Sequence, residues 1–381
     1  MKVTVAIDSF KGSMTTLEAG EAARLGIQRG YPEAEVTVCP LADGGEGTVD
    51  ALVGAFNGQI IYTDVKGPRG RTVRSSYGYI PQTKTAVIEM ARASGLTLIE
   101  ESERDPMYTT TYGTGQLIRD AIDRGCRNFL VGIGGSATND GGAGMLAALG
   151  YGLLDSFGRP IEDGCIGLRA LAEIRDTDVE PRLKECSFRV ACDVANPLCG
   201  QKGCTYVFAP QKGADPECLE YMDSWLAGYA FLTKKKYPNA DSSLPGCGAA
   251  GGLGFAFTAY LGAELRSGID TVISETGIEE SIKNSDIVVT GEGRLDGQSA
   301  MGKAPVGIAR IAKKYGKTVI ALSGCVAEGA EETNGEGIDA FFPILDVPCA
   351  LDRAMDKDVA GKNLARTAEQ VFRLIRGIST K

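Results

Sequence analysis

Between Phe129 and Met145 the chain reads FLVGIGGSATNDGGAGM. Gly132, Gly134, Gly135, Gly141, Gly142 and Gly144 free the backbone to take positive φ and to present N–H groups with no Cβ in the way. Ser136, Thr138 and Asn139 add side-chain donors, and Asp140 adds a carboxylate that could hold water or a cation beside an anion. A helix signal resumes at Gly144, which can place the loop at a helix N-terminus, where N–H groups and the dipole favour negative charge. Glycines stand beside a carboxylate, a hydroxyl or a lysine again in DSFKGS from Asp8, ADGGEGT from Ala42, CDVANPLCG from Cys192, PGCGAAGGLG from Pro245 and GEGRLDGQSAMGK from Gly291. Each alone is ordinary turn chemistry. Together they suggest a convergent polar site, and phosphoryl transfer uses this equipment: N–H groups and a lysine on phosphate oxygens, carboxylates for Mg2+, and an Asp to orient and deprotonate a hydroxyl.

Composition narrows the chemistry further. The 381 residues contain no histidine, which removes Ser-His and Cys-His nucleophile pairs and every His-containing metal site. Acid-base work falls to Asp, Glu, Lys, Tyr or Cys. A net charge of −9 disfavours a nucleic-acid or anionic-membrane surface while leaving room for a local cationic pocket. Eleven cysteines without a Cys-x-x-Cys pair read as reduced thiols, and Cys199 with Cys204 read as small buried hydrophobes and not as a zinc site. The N-terminus shows a short apolar run and no export signal, so a cytoplasmic protein is expected. Residues 242–263 are uncharged and long enough to span a bilayer, but six glycines and Pro245 make them a loop entering a buried helix.

Positioning these residues calls for α/β architecture. Val3, Val5 and Ile7 form a strand ending at Asp8, and Thr15 with Glu18 reads as a capping box for a helix reaching Gly30. Val36 and Val38 give a second strand, followed by the Asp43 loop and a helix to Phe56. Two strand-loop-helix units in tandem argue for a parallel sheet, whose ligands bind at the carboxyl ends of strands, where Asp8, Lys11 and Asp43 fall. From Gln59 the texture becomes hairpin-like, with strands at 60–65, 73–80 and 86–90. A helix over 114–124 feeds the strand at Phe129; further strands are predicted at 188–192, ending on Asp193, and at 206–209, then a polar helix from about Pro216 to Lys236. The parallel pattern returns with strands at 287–289, 318–322 and 340–345 and helices at 306–315 and 361–376. The expected assembly has two domains: a discontinuous Rossmann-like parallel-sheet domain of residues 1–65 and 285–381, and an inserted mixed α/β domain of residues 66–284, with the site in the cleft between them.

Two motifs are decoys. The segment from Gly297 to Ala304 nearly matches a P-loop, but Ala304 replaces the Mg2+-binding hydroxyl and the strand is predicted to end seven residues too early. Gly132-x-Gly134-x-x-Ala137, with Asp155 at the distance of a ribose contact, fits a loose dinucleotide fingerprint, yet its glycine run continues far beyond what that fingerprint needs.

The ordered set DSFKGS, ADGGEGT, GIGGSATNDGG, CDVANPLCG, GAAGGLG and GEGRLDGQS resembles the glycerate kinase type 1 family along essentially the whole chain. The resemblance implies Mg2+- and ATP-dependent phosphorylation of D-glycerate, in many members at the 2-hydroxyl, by a two-domain α/β protein. Cys247 stands where that pattern has a small residue such as Ala, a change expected to leave the loop intact. Carried onto this chain, Lys11 with Ser9 binds the substrate carboxylate or the transferring phosphoryl group. Asp43 and Asp193 hold Mg2+ or act as base, with Asp193 favoured as base because it ends an apolar strand; a helix or turn cap is their bland alternative. Gly134, Gly135, Ser136 and Asn139 contact phosphate, and Glu292, Arg294, Asp296 and Lys303 complete the polar cluster, Arg294 as carboxylate clamp and Asp296 as rival base. Rival readings are 3-hydroxyl phosphorylation, a dinucleotide-dependent oxidoreductase, and a non-catalytic binder of a small acid or sugar phosphate. The partners expected are small molecules only, with no nucleic acid and no membrane; a homo-oligomer is compatible.

Overall fold

The structure, a computed structural model, describes residues 1–379 except 43, 44 and 46. Strands run β1 (Lys2–Ile7), β2 (Glu35–Val38), β3 (Gln59–Lys66), β4 (Thr72–Ile80), β5 (Thr85–Glu89), β6 (Asn128–Gly132) and β7 (Gly152–Leu154). They continue as β8 (Glu173–Arg175), β9 (Ser187–Ala191), β10 (Glu264–Arg266), β11 (Ile287–Leu295), β12 (Thr318–Val326) and β13 (Ala340–Pro343). By internal packing the chain divides into two compact units, one of Met1–Asp43, Asp50–Phe56 and Val272–Lys381, the other of Gly44–Val49 and Asn57–Thr271.

The first unit is built on a parallel sheet of order β13-β12-β11-β1-β2, to which both ends of the chain contribute. Its apolar strand residues explain the parallel form, since Val3, Val5, Ile7, Val289 and Leu322 are sealed under helices. One cover is the helix Thr16–Gly30, started by the capping box in which Thr15 Oγ1 accepts the Glu18 N–H and Glu18 accepts the Thr15 N–H. It lies against the helix Lys357–Ser379 so closely that a Cβ on Gly26 would stand 2.0 Å from the Ala365 carbonyl oxygen.

The second unit carries a six-stranded sheet of order β10-β9-β6-β5-β4-β3, in which β10, β9, β6 and β5 are parallel and β3 and β4 form an antiparallel hairpin extension. Phe129 of β6 stacks on Phe188 of β9 at 4.7 Å, and Phe257 of the helix Ala249–Leu261 packs onto Phe188 at 6.0 Å. No helix among the described residues is long and apolar enough to cross a membrane, and residues 249–261 are the expected buried helix.

Three local expectations are corrected. Residues 206–209 are not a strand: Cys204–Phe208 is a helix, with Cys204, Thr205 and Ala209 buried at helical spacing. A short run of aromatic and β-branched residues fits either period, and tertiary packing decides. Strands β11 and β12 run on to Leu295 and Val326, because Gly291 and Gly324 let them approach where a side chain has no room; a Cβ on Gly291 would stand 1.9 Å from the Leu322 carbonyl oxygen. Hence the strand before the P-loop-like segment ends two residues before Gly297, and only Ala304 still argues against a P-loop.

Candidate active site

In the first unit, β1 and β11 are neighbours, and the chain leaves them for opposite sides of the sheet, to β2 and to β12. This is a topological switch point, the place where parallel sheets bind ligands. DSFKGS follows β1 and GEGRLDGQS occupies the end of β11, and the Asp8 N–H donates to the Gly291 carbonyl at 2.9 Å. Beyond Asp8, reciprocal bonds between Phe10 and Met14 at 2.9 and 3.0 Å close a tight loop that carries Lys11 at the surface, with Gly12 at φ 77° making its turn.

The β11 side forms one connected cluster. Buried Glu292 accepts from Ser299 Oγ at 2.5 Å, and Ser299 Oγ in turn accepts the Asp296 N–H at 3.2 Å. Asp296 caps the short helix Gly297–Ala300, accepting the Gln298 and Ser299 N–H groups at 3.0 and 3.3 Å. The exposed Arg294 lies 3.3 Å from the same carboxylate and Lys303 3.8 Å from it. Asp296 thus joins Arg294, Lys303 and the short helix in one cluster.

In the second unit, the register pairs Glu89, Gly132 and Ala191 across β5, β6 and β9, and Ala191 with Arg266 of β10. The loop from Ile133 and the segment carrying Asp193 therefore leave the sheet side by side. Gly134 and Gly135 are exposed, Gly135 at φ 72°, and Gly45 of the ADGGEGT motif is the nearest neighbour that a Cβ on Gly134 would meet, at 4.0 Å. Asp193 is exposed, and its Oδ1 accepts the Gly268 N–H at 2.9 Å at the start of the helix Gly268–Thr276. The GAAGGLG motif is the loop's floor: Gly251 and Gly252, at φ 66° and 91°, pass so close that a Cβ on Gly251 would stand 2.0 Å from the Thr138 carbonyl oxygen.

Beneath the glycine pair the loop turns inward, and here the sequence reading is revised. Asp140 is sealed, accepting the Thr111 N–H and hydroxyl and the Gly142 and Gly144 N–H groups at 2.8 to 3.1 Å. Burial pushes its carboxyl upward against those four donors, and it is an internal clamp and not a ligand for an external cation. Asn139 is likewise fully buried and donates to Thr205 Oγ1 at 2.9 Å, so its side chain braces the loop instead of touching phosphate. Ser136 is buried and accepts from Lys212 Nζ at 2.7 Å. Lys212 escaped the sequence reading, as did Glu89, which is buried and accepts the Val49 N–H at 2.8 Å and Arg92 Nε at 2.7 Å. The signal for Lys212 was the QKG turn directly after the misassigned strand at 206–209.

Ser9, Lys11, Glu292, Arg294, Asp296 and Lys303 thus belong to the first unit, and Gly134, Gly135, Ser136, Asn139 and Asp193 to the second. Asp43 lies outside the described residues. Among the described residues no three His, Cys, Asp or Glu side chains gather to hold a metal ion. Mg2+ needs less, commonly one or two carboxylates completed by phosphate oxygens and water, and an exposed Asp193 beside the glycine loop fits as one such donor. Asp155, the ribose candidate, instead closes its own turn, accepting the Phe157 and Arg159 N–H groups at 2.8 and 2.9 Å beside β7, outside the parallel sheet. The dinucleotide reading loses its acidic partner.

The sequence profile of the glycerate kinase family matches residues 3–376. The glycerate kinase of Halalkalibacterium halodurans is 45% identical over 95% of this chain and 97% of its own, and the glycerate 2-kinase of Escherichia coli K12 is 46% identical over 93% of each. A crystal structure assigned to glycerate kinase 2 of Salmonella typhimurium LT2 superposes with a TM-score of 0.92 at 44% identity, covering all of both chains. With the strand-end motifs in place and relatives of one activity aligned nearly end to end, the chain belongs to the glycerate kinase family and is a kinase.

Proposed function

We propose that the enzyme transfers the terminal phosphoryl group of ATP to the 2-hydroxyl of D-glycerate with Mg2+. The observation that carries this reading is the register that sends the exposed Gly134–Gly135 pair and Asp193 off neighbouring strands. Backbone N–H groups at Gly134, Gly135 and Ser136 take phosphate oxygens, which lets an otherwise acidic protein bind a polyanion. Mg2+, when bound, neutralises charge on the phosphates as it develops. Asp193, together with Asp43 of the ADGGEGT motif, would hold it. The Asp193 carboxylate would orient the acceptor hydroxyl and take its proton, with Asp296 as the rival base.

Lys11 with Ser9, Arg294 and Lys303 provide the cationic and hydroxyl groups for the glycerate carboxylate and the phosphoryl group in transit. Asp296 and Glu292 hold that set in place through Ser299. A relative whose name specifies the 2-position, at 46% identity, supports the regiochemistry. Eleven free cysteines, among them the fully buried Cys126, Cys165 and Cys204, suit a reducing compartment, and we place the enzyme in the cytoplasm.

The test is coupled ADP release with Mg2+-ATP and, separately, D-glycerate, L-glycerate, glycerol and hydroxypyruvate. Turnover confined to D-glycerate supports the reading; turnover with none of them returns the glycine loop to simple ligand binding. A non-catalytic binder is separated by Asp193→Asn, which should leave ligand affinity nearly unchanged in a binder and remove orders of magnitude of kcat in a kinase.

A further inference from the structure

Lys212 ends the turn Pro210–Lys212 and is 3% exposed. The turn is seated firmly: Gly213, at φ 92°, leaves room for the Arg104 carbonyl oxygen, which a Cβ would meet at 2.3 Å. From there the lysine Nζ reaches up under the glycine loop and donates to Ser136 Oγ and to the Thr138 carbonyl, both at 2.7 Å. No carboxylate among the described residues stands within ion-pair distance of this ammonium. The titratable groups facing it are Asp140, saturated by its own four donors, and Cys204, whose thiol burial pushes up to about 12 and thereby keeps neutral.

A buried cation without a counter-ion is unfavourable unless something else compensates it. The same loop holds two further fully buried polar atoms without partners, Thr138 Oγ1 and Asn139 Oδ1. The residues immediately before Ser136, by contrast, are the exposed Gly134 and Gly135. We propose that Lys212 is the fixed cation of the phosphate-binding loop, a positioning residue that orients Ser136 and the 134–136 backbone from below, with the nucleotide's phosphates as its missing counter-charge. It acts through Ser136, without touching the phosphates itself. This rests on the reading of that loop as the phosphate site.

Titration of inorganic tripolyphosphate by calorimetry tests it, with Lys212→Met as the neutral variant of similar length. The expected result is roughly 10- to 100-fold weaker tripolyphosphate binding and an equal rise in KM for ATP, with KM for glycerate unchanged. The variant's Tm should stay level or rise, because an uncompensated charge has been removed. A merely structural lysine would do the reverse, lowering Tm and leaving KM for ATP alone. A variant that binds tripolyphosphate as tightly as the parent overturns the proposal. Should the variant not fold, the parent protein labelled with 13C at lysine Cε decides. Burial pushes the Lys212 ammonium down to about 8, and saturation with tripolyphosphate should raise that titration by at least about one pH unit. No movement overturns the proposal. Failure of the phosphate-site reading is visible separately: the parent protein would then bind no tripolyphosphate at all while the lysine titrates unchanged.

Discussion

Two aspartates with similar sequence signals sit in different surroundings, Asp193 at the start of the helix Gly268–Thr276 and Asp296 among Arg294, Lys303 and the N–H groups of a short helix. Asp193→Asn keeps an oxygen for the Gly268 N–H, so the fold should survive, while kcat drops by about 100-fold or more for want of a charged carboxylate. Unchanged kcat in a steady-state assay would remove Asp193 from the chemistry. Asp296→Ala should instead lower stability by about 1 kcal/mol through the lost cap, and raise KM for glycerate as Arg294 and Lys303 lose their anchor. Urea denaturation and initial rates measure the two effects separately. For Lys212 the ordinary value of 10.5 falls to about 8 in the folded protein. Between these pH values the unfolded chain binds the extra proton, so this group makes stability rise with pH across that window. Affinity for ATP should move oppositely, falling above about pH 8 as the loop loses its cation, with Asp140 and Cys204 as the neighbouring titratable groups. A flat profile of kcat/KM for ATP from pH 7 to 9.5 contradicts this.

Helices and strands were readable where local chemistry is decisive. The Thr15 and Glu18 side chains announce a helix start, and both reciprocal bonds are present. The alternation at Val3, Val5 and Ile7 marks a strand for the same reason. The helix Cys204–Phe208 was opaque because the four apolar residues 206–209 have no room to show their period. The full lengths of β11 and β12 were hidden for a different reason: glycines and polar residues, Thr290 to Arg294 and Ser323–Gly324, interrupt their apolar runs and are held in the ladder by close strand approach and by Ser323 Oγ donating to the Glu292 carbonyl at 3.1 Å. Close approach also makes a prediction for the helix pair Thr16–Gly30 and Lys357–Ser379. Gly26→Ala forces a methyl against the Ala365 carbonyl and should destabilise by about 1–3 kcal/mol or more, whereas Gly377→Ala, which meets nothing, should be neutral or stabilising by up to about 1 kcal/mol. Thermal denaturation followed by circular dichroism compares them directly.

For the whole molecule, tandem strand-loop-helix signals at the two chain ends disclosed a shared parallel sheet, since only a buried sheet accepts strands that apolar. The motif set put the glycine loop, Asp193, Lys11 and the 292–303 segment at or just past strand ends, where the structure has them, because glycines and charged residues at strand ends leave a mark in sequence. Which face each residue presents left none. The inward turn of Asn139 and Asp140, the bracing role of Gly251 and the ammonium of Lys212 beneath Ser136 are consequences of packing between segments far apart in the chain. The measurement that bears most directly on the central claim is phosphorus NMR of a reaction of the enzyme with Mg2+-ATP and D-glycerate. The account predicts a new phosphomonoester resonance, coupled to the single C2 proton, growing as the ATP γ signal falls. A resonance coupled to the two C3 protons would contradict the regiochemistry, and loss of the γ signal to inorganic phosphate alone would contradict glycerate phosphorylation itself.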